Sequence, residues 1–228
     1  LADRFVNLAV GRLKEGRSFE ESVRAGVCAV LCSPNFLLVN RDAAVDDYAI
    51  ASRMSYFLWS SMPDDELLKL AAAGKLKDAN VRRAQVDRML KDPRRERFVE
   101  NFTGQWLDLR NMDATTPDKK LYPEYDELLG RSMVRESHGF FTEVLDKNLT
   151  VKNFIDSDFV VVNERLADHY GLKGVKGHEK MQVVKLPEDS LRGGVLTQGA
   201  VMKVTANGTA SSPVIRGVWV LDRLLGQQ

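Results

Sequence analysis

The sequence predicts a mainly α-helical fold, a multi-helix, bundle-like array with at most a small β element. Three observations predict this class of fold. Apolar residues recur at helical spacing in segments such as DDYAIASRMSYFLWSS at 46–61. Residues that commonly cap helices precede several of these segments, and proline or glycine follows some of them. Extended patterns are confined to two short stretches, 159–162 and 180–190.

Helices in the first half begin at recognisable caps. Ser18 with Glu21 three residues later forms a capping-box pattern, and Pro34 follows the helix that this pattern opens. Asp78 stands before a further helical segment. A further helix is predicted by an apolar stripe at Phe98, Phe102, Trp106 and Leu109.

The second half predicts a long helix at 123–148 and a short helix at 163–171 that follows the first extended stretch. Two more helices are predicted at 191–204 and 213–226. The polar segment between the halves contains Pro117 and is the best candidate for a linker. We therefore predict an N-terminal helical part at 1–112, a linker at 113–122 and a C-terminal helical part at 123–228.

Composition excludes two classes of partner. The chain has 33 basic and 32 acidic side chains, a net charge of +1, so no field of one sign would attract nucleic acid. No apolar run reaches the roughly 20 residues that span a bilayer. The haem attachment motif CxxCH is absent, and we expect no cofactor in this chain.

The segment NERLADHYG at 163–171 holds the candidate catalytic residues Glu164, Asp168 and His169. A structural interpretation competes with catalysis, because Asn163 suits a helix N-cap and Gly171 suits the left-handed residue after the helix. We favour the structural interpretation and leave open whether the protein is an enzyme.

No metal site is predicted. The chain has only three histidines and no HExxH motif. A site built without a motif remains conceivable from Glu136, His138, Asp156, Asp158 and His169, but the sequence does not show that these side chains converge. The loop TANGTASSPVIRG holds a candidate anion site at Ser212 and Arg216, where a helix N-terminus and a basic side chain coincide. Ordinary helix capping by Ser212 is the competing interpretation, and we favour it.

Several motifs resemble those of one family in a consistent order. They are ASRMSYFLWSSMPDDELLKLAAAGKL, VENFTGQWLDLRNMD, FVVVNERLADHYGL and LRGGVLTQGAVMKV. The family comprises planctomycete-type exported proteins that carry a c-type cytochrome domain and consecutive domains of unknown function. By this resemblance, residues 45–172 are similar to the central domain, while 1–40 and 191–226 are similar to parts of its neighbours.

The resemblance implies an extracytoplasmic location, a c-type haem elsewhere in the parent protein, and no established activity. We expect a structural or interaction module that packs on neighbouring domains, including the haem domain. The alternative is a catalytic module, either a redox site working with the haem domain or a hydrolase acting on an extracellular polymer such as a polysaccharide.

Overall fold

The computed structural model describes residues 2–37 and 46–227, and it confirms the mainly α-helical fold. The α-helices are α1 (Ala2–Lys14), α2 (Phe19–Leu31), α3 (Pro34–Leu37), α4 (Asp47–Trp59), α5 (Asp65–Ala72), α6 (Ala79–Leu90), α7 (Glu96–Trp106), α8 (Glu127–Asp146), α9 (Glu164–Tyr170), α10 (Gly199–Val204) and α11 (Pro213–Arg223). Short 3₁₀ helices lie at Pro93–Arg95, Leu109–Asn111, Val151–Phe154 and Val195–Thr197.

The small β element is a single antiparallel pair within the described residues. Strand β1 (Phe159–Val162) pairs with β2 (Gln182–Lys185), and the register places Phe159 opposite Lys185. All four residues of β1 are buried, whereas β2 alternates between half-buried and exposed positions. The burial of β1 on both faces explains its unbroken apolar sequence, FVVV.

Local capping chemistry sets where several helices begin. The Ser18 hydroxyl accepts a hydrogen bond from the Glu21 amide at 3.2 Å, and the Glu21 carboxylate accepts one from the Ser18 amide at 3.3 Å. Asp78 and Ser212 cap α6 and α11 in the same manner, through the amides of Asn80 and Ile215. These bonds satisfy amides that have no partner inside the helix.

The chain divides into two compact units, Leu1–Asp92 and Pro93–Gln228. The segment 113–122, predicted as a linker, lies inside the second unit. There the amide of Asp118 donates to the carbonyl of Gly208 at 2.9 Å, and the Tyr122 hydroxyl donates to the carbonyl of Thr209 at 3.1 Å. The polar composition of this segment therefore reflects an irregular stretch held by hydrogen bonds to the backbone carbonyls of Gly208 and Thr209.

In the first unit, α1 packs on α2, and α4 packs on α5 and α6. Trp59 is fully buried, and its indole nitrogen donates to the carbonyl of Met89 at 3.0 Å. Asp47, in the first turn of α4, is also buried and accepts a hydrogen bond from the amide of Leu76 at 2.5 Å. These two bonds tie α4 to the ends of α5 and α6.

The core of the second unit surrounds α8, which packs against α7, α9, α10 and β1. The buried face of α8 includes Leu129, Met133, Phe140 and Val144. The approach of α8 to β1 depends on Gly139, because a Cβ atom there would lie 2.7 Å from a methyl group of Val161. No helix within 2–37 and 46–227 is long and apolar enough to cross a membrane.

Candidate functional site

Helix α9 confirms the local reading of NERLADHYG as a capped helix. The amide oxygen of Asn163 accepts a hydrogen bond from the Leu166 amide at 3.0 Å. The side-chain nitrogen of Asn163 donates to the Ser132 hydroxyl at 2.9 Å and to the His178 carbonyl at 2.6 Å. Gly171 ends the helix with a φ of +72°. Asn163 is fully buried, so it ties α9 to α8 in addition to starting the helix.

The three candidate catalytic residues of α9 have different surroundings. The Glu164 carboxylate accepts a hydrogen bond from the Gly177 amide at 2.7 Å, which fixes the loop after the helix. Asp168 is exposed. His169 lines a cavity, and desolvation lowers its pKa from the ordinary 6.5, while the charge of Glu124 opposes that shift. Of the three, only His169 borders the cavity.

That cavity lies wholly within the second unit and has a volume of about 290 Å³. Its walls combine cations, tyrosines and apolar side chains. The cations are Arg192, Lys203 and Arg216; the tyrosines are Tyr122, Tyr125 and Tyr170; and the apolar side chains include Leu129, Met133 and Met202. Glu124 is the one carboxylate residue among the lining residues that the structure describes.

The two residues predicted to bind an anion have different roles in the structure, although the Arg216 amide donates to the Ser212 carbonyl at 3.0 Å. The Ser212 hydroxyl accepts from the Ile215 amide at 3.3 Å, so it is used in capping α11. Arg216 lines the cavity, and its Nε donates to the Thr205 hydroxyl at 3.2 Å. The neighbour of Ser212, Ser211, also lines the cavity.

The other two cations are held by uncharged partners. The Lys203 ammonium donates to the carbonyls of Met112 and Thr115, the second at 2.9 Å. The Arg192 guanidinium donates to the Thr197 carbonyl at 2.9 Å and lies 3.5 Å from the centroid of the Tyr170 ring. Throughout the part of the chain that the structure describes, none of the three cavity cations forms an ion pair with a carboxylate.

A buried carboxyl group stands directly behind the cavity wall. Glu136 of α8 is 1 % exposed, and its Oε2 accepts hydrogen bonds from the Tyr170 hydroxyl at 2.6 Å and the Gly199 amide at 3.2 Å. The Tyr170 oxygen also accepts from the Gly199 amide, at 2.7 Å. Both Tyr170 and Gly199 line the cavity.

Burial raises the pKa of Glu136 from 4.5 to about 7, although the hydrogen bonds from Tyr170 and Gly199 and the charge of Arg192 oppose the shift. Burial together with the nearby Glu136 carboxylate raises the pKa of Tyr170 well above its ordinary value. A carboxyl group that titrates near neutrality beside a cavity is typical of a functional site. This arrangement can hold a proton next to a bound ligand.

Sequence motifs did not point to Tyr170, Arg192 or Lys203, and Glu136 entered only as one of five conceivable metal ligands. One further sequence signal marks Glu136. It lies in the apolar stripe of α8, between Met133 and Phe140, where a carboxylate would not be placed without a buried partner. The motif-free metal site is not assembled: no group of three or more His, Cys, Asp or Glu residues within 2–37 and 46–227 could hold a metal ion.

Two family models match the chain. The first, PSD4, described as a protein of unknown function (DUF1592), matches residues 45–172, which is more than half of the chain. The chain belongs to the PSD4 family. The second, PSCyt3, also a protein of unknown function (DUF1588), matches residues 192–228. These are consecutive domains of unknown function in planctomycete-type cytochrome c proteins, as the sequence motifs predicted.

No curated protein and no solved structure matches the chain. The PSD4 match covers helices of both compact units, and the two matches divide the cavity between them. The three tyrosines and the buried Glu136 belong to the PSD4 segment, whereas Arg192, Lys203 and Arg216 belong to the PSCyt3 segment. The cavity is therefore complete only where both segments are present.

Proposed function

We propose that this chain is a binding module of a cytochrome c-linked multidomain protein, and that its cavity holds a carboxylate attached to a small apolar body. The observation that carries the proposal is the charge of the walls. Three cations converge on one cavity, and each is held by carbonyl, hydroxyl or aromatic partners instead of carboxylates.

The uncharged partners of the three cations leave their positive charge available to a ligand. Neutral acceptors orient a cation without cancelling its charge, so the three cations Arg192, Lys203 and Arg216 outweigh the single carboxylate among the described lining residues, that of Glu124, in a partly desolvated space. Charges in such a space interact more strongly than they do in water. Desolvation lowers the pKa of Lys203, although the charge of Asp113 opposes the shift, so burial disfavours the charged ammonium group. An entering anion would offset that cost.

The size of the cavity and its uncharged walls limit which anions fit. The volume of about 290 Å³ is at the small end of the range for ligand pockets. The tyrosines and the side chains of Leu129, Met133 and Met202 favour an apolar or aromatic body behind the charged group. A compact organic carboxylate fits these walls better than an inorganic anion, which would leave the apolar wall uncovered.

Such a carboxylate has two sources, a small molecule or an acidic group of a neighbouring domain. The second source fits an interaction module that packs on other domains of the parent protein, including its haem domain. The parent context also supports an extracytoplasmic location, which is part of this proposal.

The test is a titration of the isotope-labelled chain with benzoate, followed by amide NMR. We expect the amide signals of Gly199, Gly208 and Ser211 to shift with benzoate, but much less with the uncharged benzamide or with sulfate. Lys203→Gln and Arg216→Gln should each weaken benzoate binding several-fold. Lys173→Gln, an exposed lysine away from the cavity, is the matched control. Equal binding of benzamide would contradict the proposal.

A second arm separates the two sources of carboxylate. The same titration is repeated on the parent multidomain protein. If a neighbouring domain supplies the acidic group, the parent should bind benzoate far more weakly than this chain does. If the ligand is a small molecule, both should bind it equally.

A catalytic module is the second candidate, and the Glu136–Tyr170 pair is the observation that favours it. Such a pair can exchange a proton with a ligand near neutral pH. Two activities test this candidate: electron exchange with the parent's haem domain, and hydrolysis of an extracellular polysaccharide. Loss of either activity in Tyr170→Phe, while benzoate still binds, would support catalysis. Unchanged activity in Tyr170→Phe would exclude this pair from the reaction.

A further inference from the structure

We propose that the cavity takes up its carboxylate ligand together with one proton, and that Glu136 holds this proton. The inference rests on the proposed function, because it specifies how the same cavity controls its ligand. The step is a simple protonation: solvent supplies the proton, an oxygen of the Glu136 carboxylate accepts it, and no other bond changes.

The Glu136 carboxylate and a carboxylate bound in the cavity would lie on opposite sides of a wall that is one residue thick. Glu136 has almost no exposed surface, and its contacts are the Tyr170 hydroxyl at 2.6 Å and the Gly199 amide at 3.2 Å. Tyr170 and Gly199 also face the cavity. A Cβ atom at Gly199 would lie 2.7 Å from Met133 and 3.0 Å from the Tyr170 hydroxyl, so no side chain fits between them. A ligand in the cavity is therefore one residue away from Glu136.

Two like charges so close in a desolvated environment repel each other strongly. The charge of Arg192 stabilises the Glu136 carboxylate, and the Arg192 guanidinium also lines the cavity. When a ligand carboxylate engages Arg192, that cation stabilises Glu136 less. Both effects favour the neutral, protonated form of Glu136 in the complex.

The elements packed on α8 bring few other charges toward Glu136. Helix α9 presents Tyr170, the segment before Val195 presents Arg192, and α10 presents the amide of Gly199. Strand β1 has only Phe and Val residues, and α7 presents Phe98 and Val99 to the core. The pKa of Glu136, about 7, is already poised for protonation near neutrality.

His169 and Lys203 also line the cavity, and their titration must be separated from that of Glu136. Desolvation lowers the pKa of His169 from 6.5, so its protonation would strengthen anion binding only in more acidic solution. Desolvation also lowers the pKa of Lys203 from 10.5, so its loss of charge would weaken binding only in alkaline solution. The titration of Glu136 should change benzoate affinity at pH values between these acidic and alkaline ranges.

The coupling between ligand binding and protonation of Glu136 sets the direction in which affinity changes with pH. A bound carboxylate raises the pKa of Glu136 above about 7, so the complex binds more protons than the free protein at pH 7–8. Benzoate is ionised throughout this range. Benzoate affinity should therefore be highest below pH 7 and fall as the pH rises.

The experiment is calorimetric titration of the chain with benzoate at pH 7.5, in two buffers that differ in ionisation enthalpy. We expect a buffer-dependent heat that reports proton uptake, and a fall in affinity of about tenfold or more from pH 6.5 to pH 8.5. Glu136→Gln should bind benzoate with an affinity that hardly changes over this range. His169→Gln, the control on the cavity wall, should retain the wild-type pH dependence.

Benzoate binding without proton uptake and with constant affinity would overturn this inference and leave the proposed function standing. An absence of benzoate binding at every pH would overturn both. The wild-type calorimetry alone decides the matter if Glu136→Gln does not fold.

Discussion

Each compact unit contains a buried carboxyl group, and the surroundings of Asp47 and Glu136 teach how differently such a group can be used. Asp47 lies in the first turn of α4 and accepts the Leu76 amide at 2.5 Å. This bond joins the start of α4 to the segment that follows α5, so the Asp47 carboxylate serves as a structural tie.

Glu136 lies in the middle of α8, far from the N-terminus of its own helix, and burial raises its pKa to about 7 despite the hydrogen bond from the Gly199 amide. Its partners are a tyrosine and an amide that belong to a cavity wall. The difference shows that burial alone does not mark a functional carboxyl group. What marks Glu136 is burial with a titratable partner, beside a space that a ligand can enter.

The largest expected effect concerns the pH dependence of stability. Between pH 4.5 and about 7 the folded protein holds a proton on Glu136 that the unfolded chain releases, so this group lowers the free energy of unfolding as the pH rises. By pH 8 this group should have lowered the free energy of unfolding of the wild type by about 3 kcal/mol. E136Q lacks the titrating carboxyl group, so its free energy of unfolding should rise by about that amount relative to the wild type between pH 4.5 and pH 8.

Urea unfolding at several pH values measures this difference. Glu127→Gln, on an exposed position of the same helix, is the matched control and should show a much smaller change. If the free energy of unfolding of E136Q and that of the wild type change with pH in the same way, Glu136 is a structural carboxylate like Asp47.

The second expected effect is on the structural carboxylate. Asp47→Ala leaves the buried Leu76 amide without its acceptor and should lower the free energy of unfolding by about 2 kcal/mol. Hydrogen exchange at the Leu76 amide measures the local loss of protection. Asp65→Ala, an exposed first-turn acid in α5, serves as the control. Benzoate binding by Asp47→Ala should stay at the wild-type level, and a loss of binding there would break the comparison.

The smallest expected effect is at His169. This residue is exposed at the end of α9, so His169→Gln should change the free energy of unfolding by about 1 kcal/mol or less. The variant should keep the near-neutral titration of Glu136. Carboxyl NMR of the variant checks this, and disappearance of that titration would show that His169 is the partner that controls Glu136.

Local interactions made much of the fold predictable. Ser18, Asn163 and Ser212 start helices through amides three residues away, and such spacing is visible in the sequence. The same reasoning assigned the structural part of NERLADHYG.

The candidate site was only partly predictable because its contacts are distant in sequence. Arg216 was found through the helix start beside it. Glu136, by contrast, meets Tyr170 and Gly199 across 34 and 63 residues, and nothing local to Glu136 names those partners. The segment 113–122 shows the same limit, since its hydrogen bonds to the loop around Gly208 are invisible in its polar composition.

The most direct test of the account is the carboxyl carbon chemical shift of Glu136, followed by NMR as a function of pH with and without benzoate. The account predicts a titration midpoint at about 7 in the free protein and a higher midpoint with benzoate bound. A midpoint at the ordinary glutamate value, or one that benzoate does not move, would contradict it.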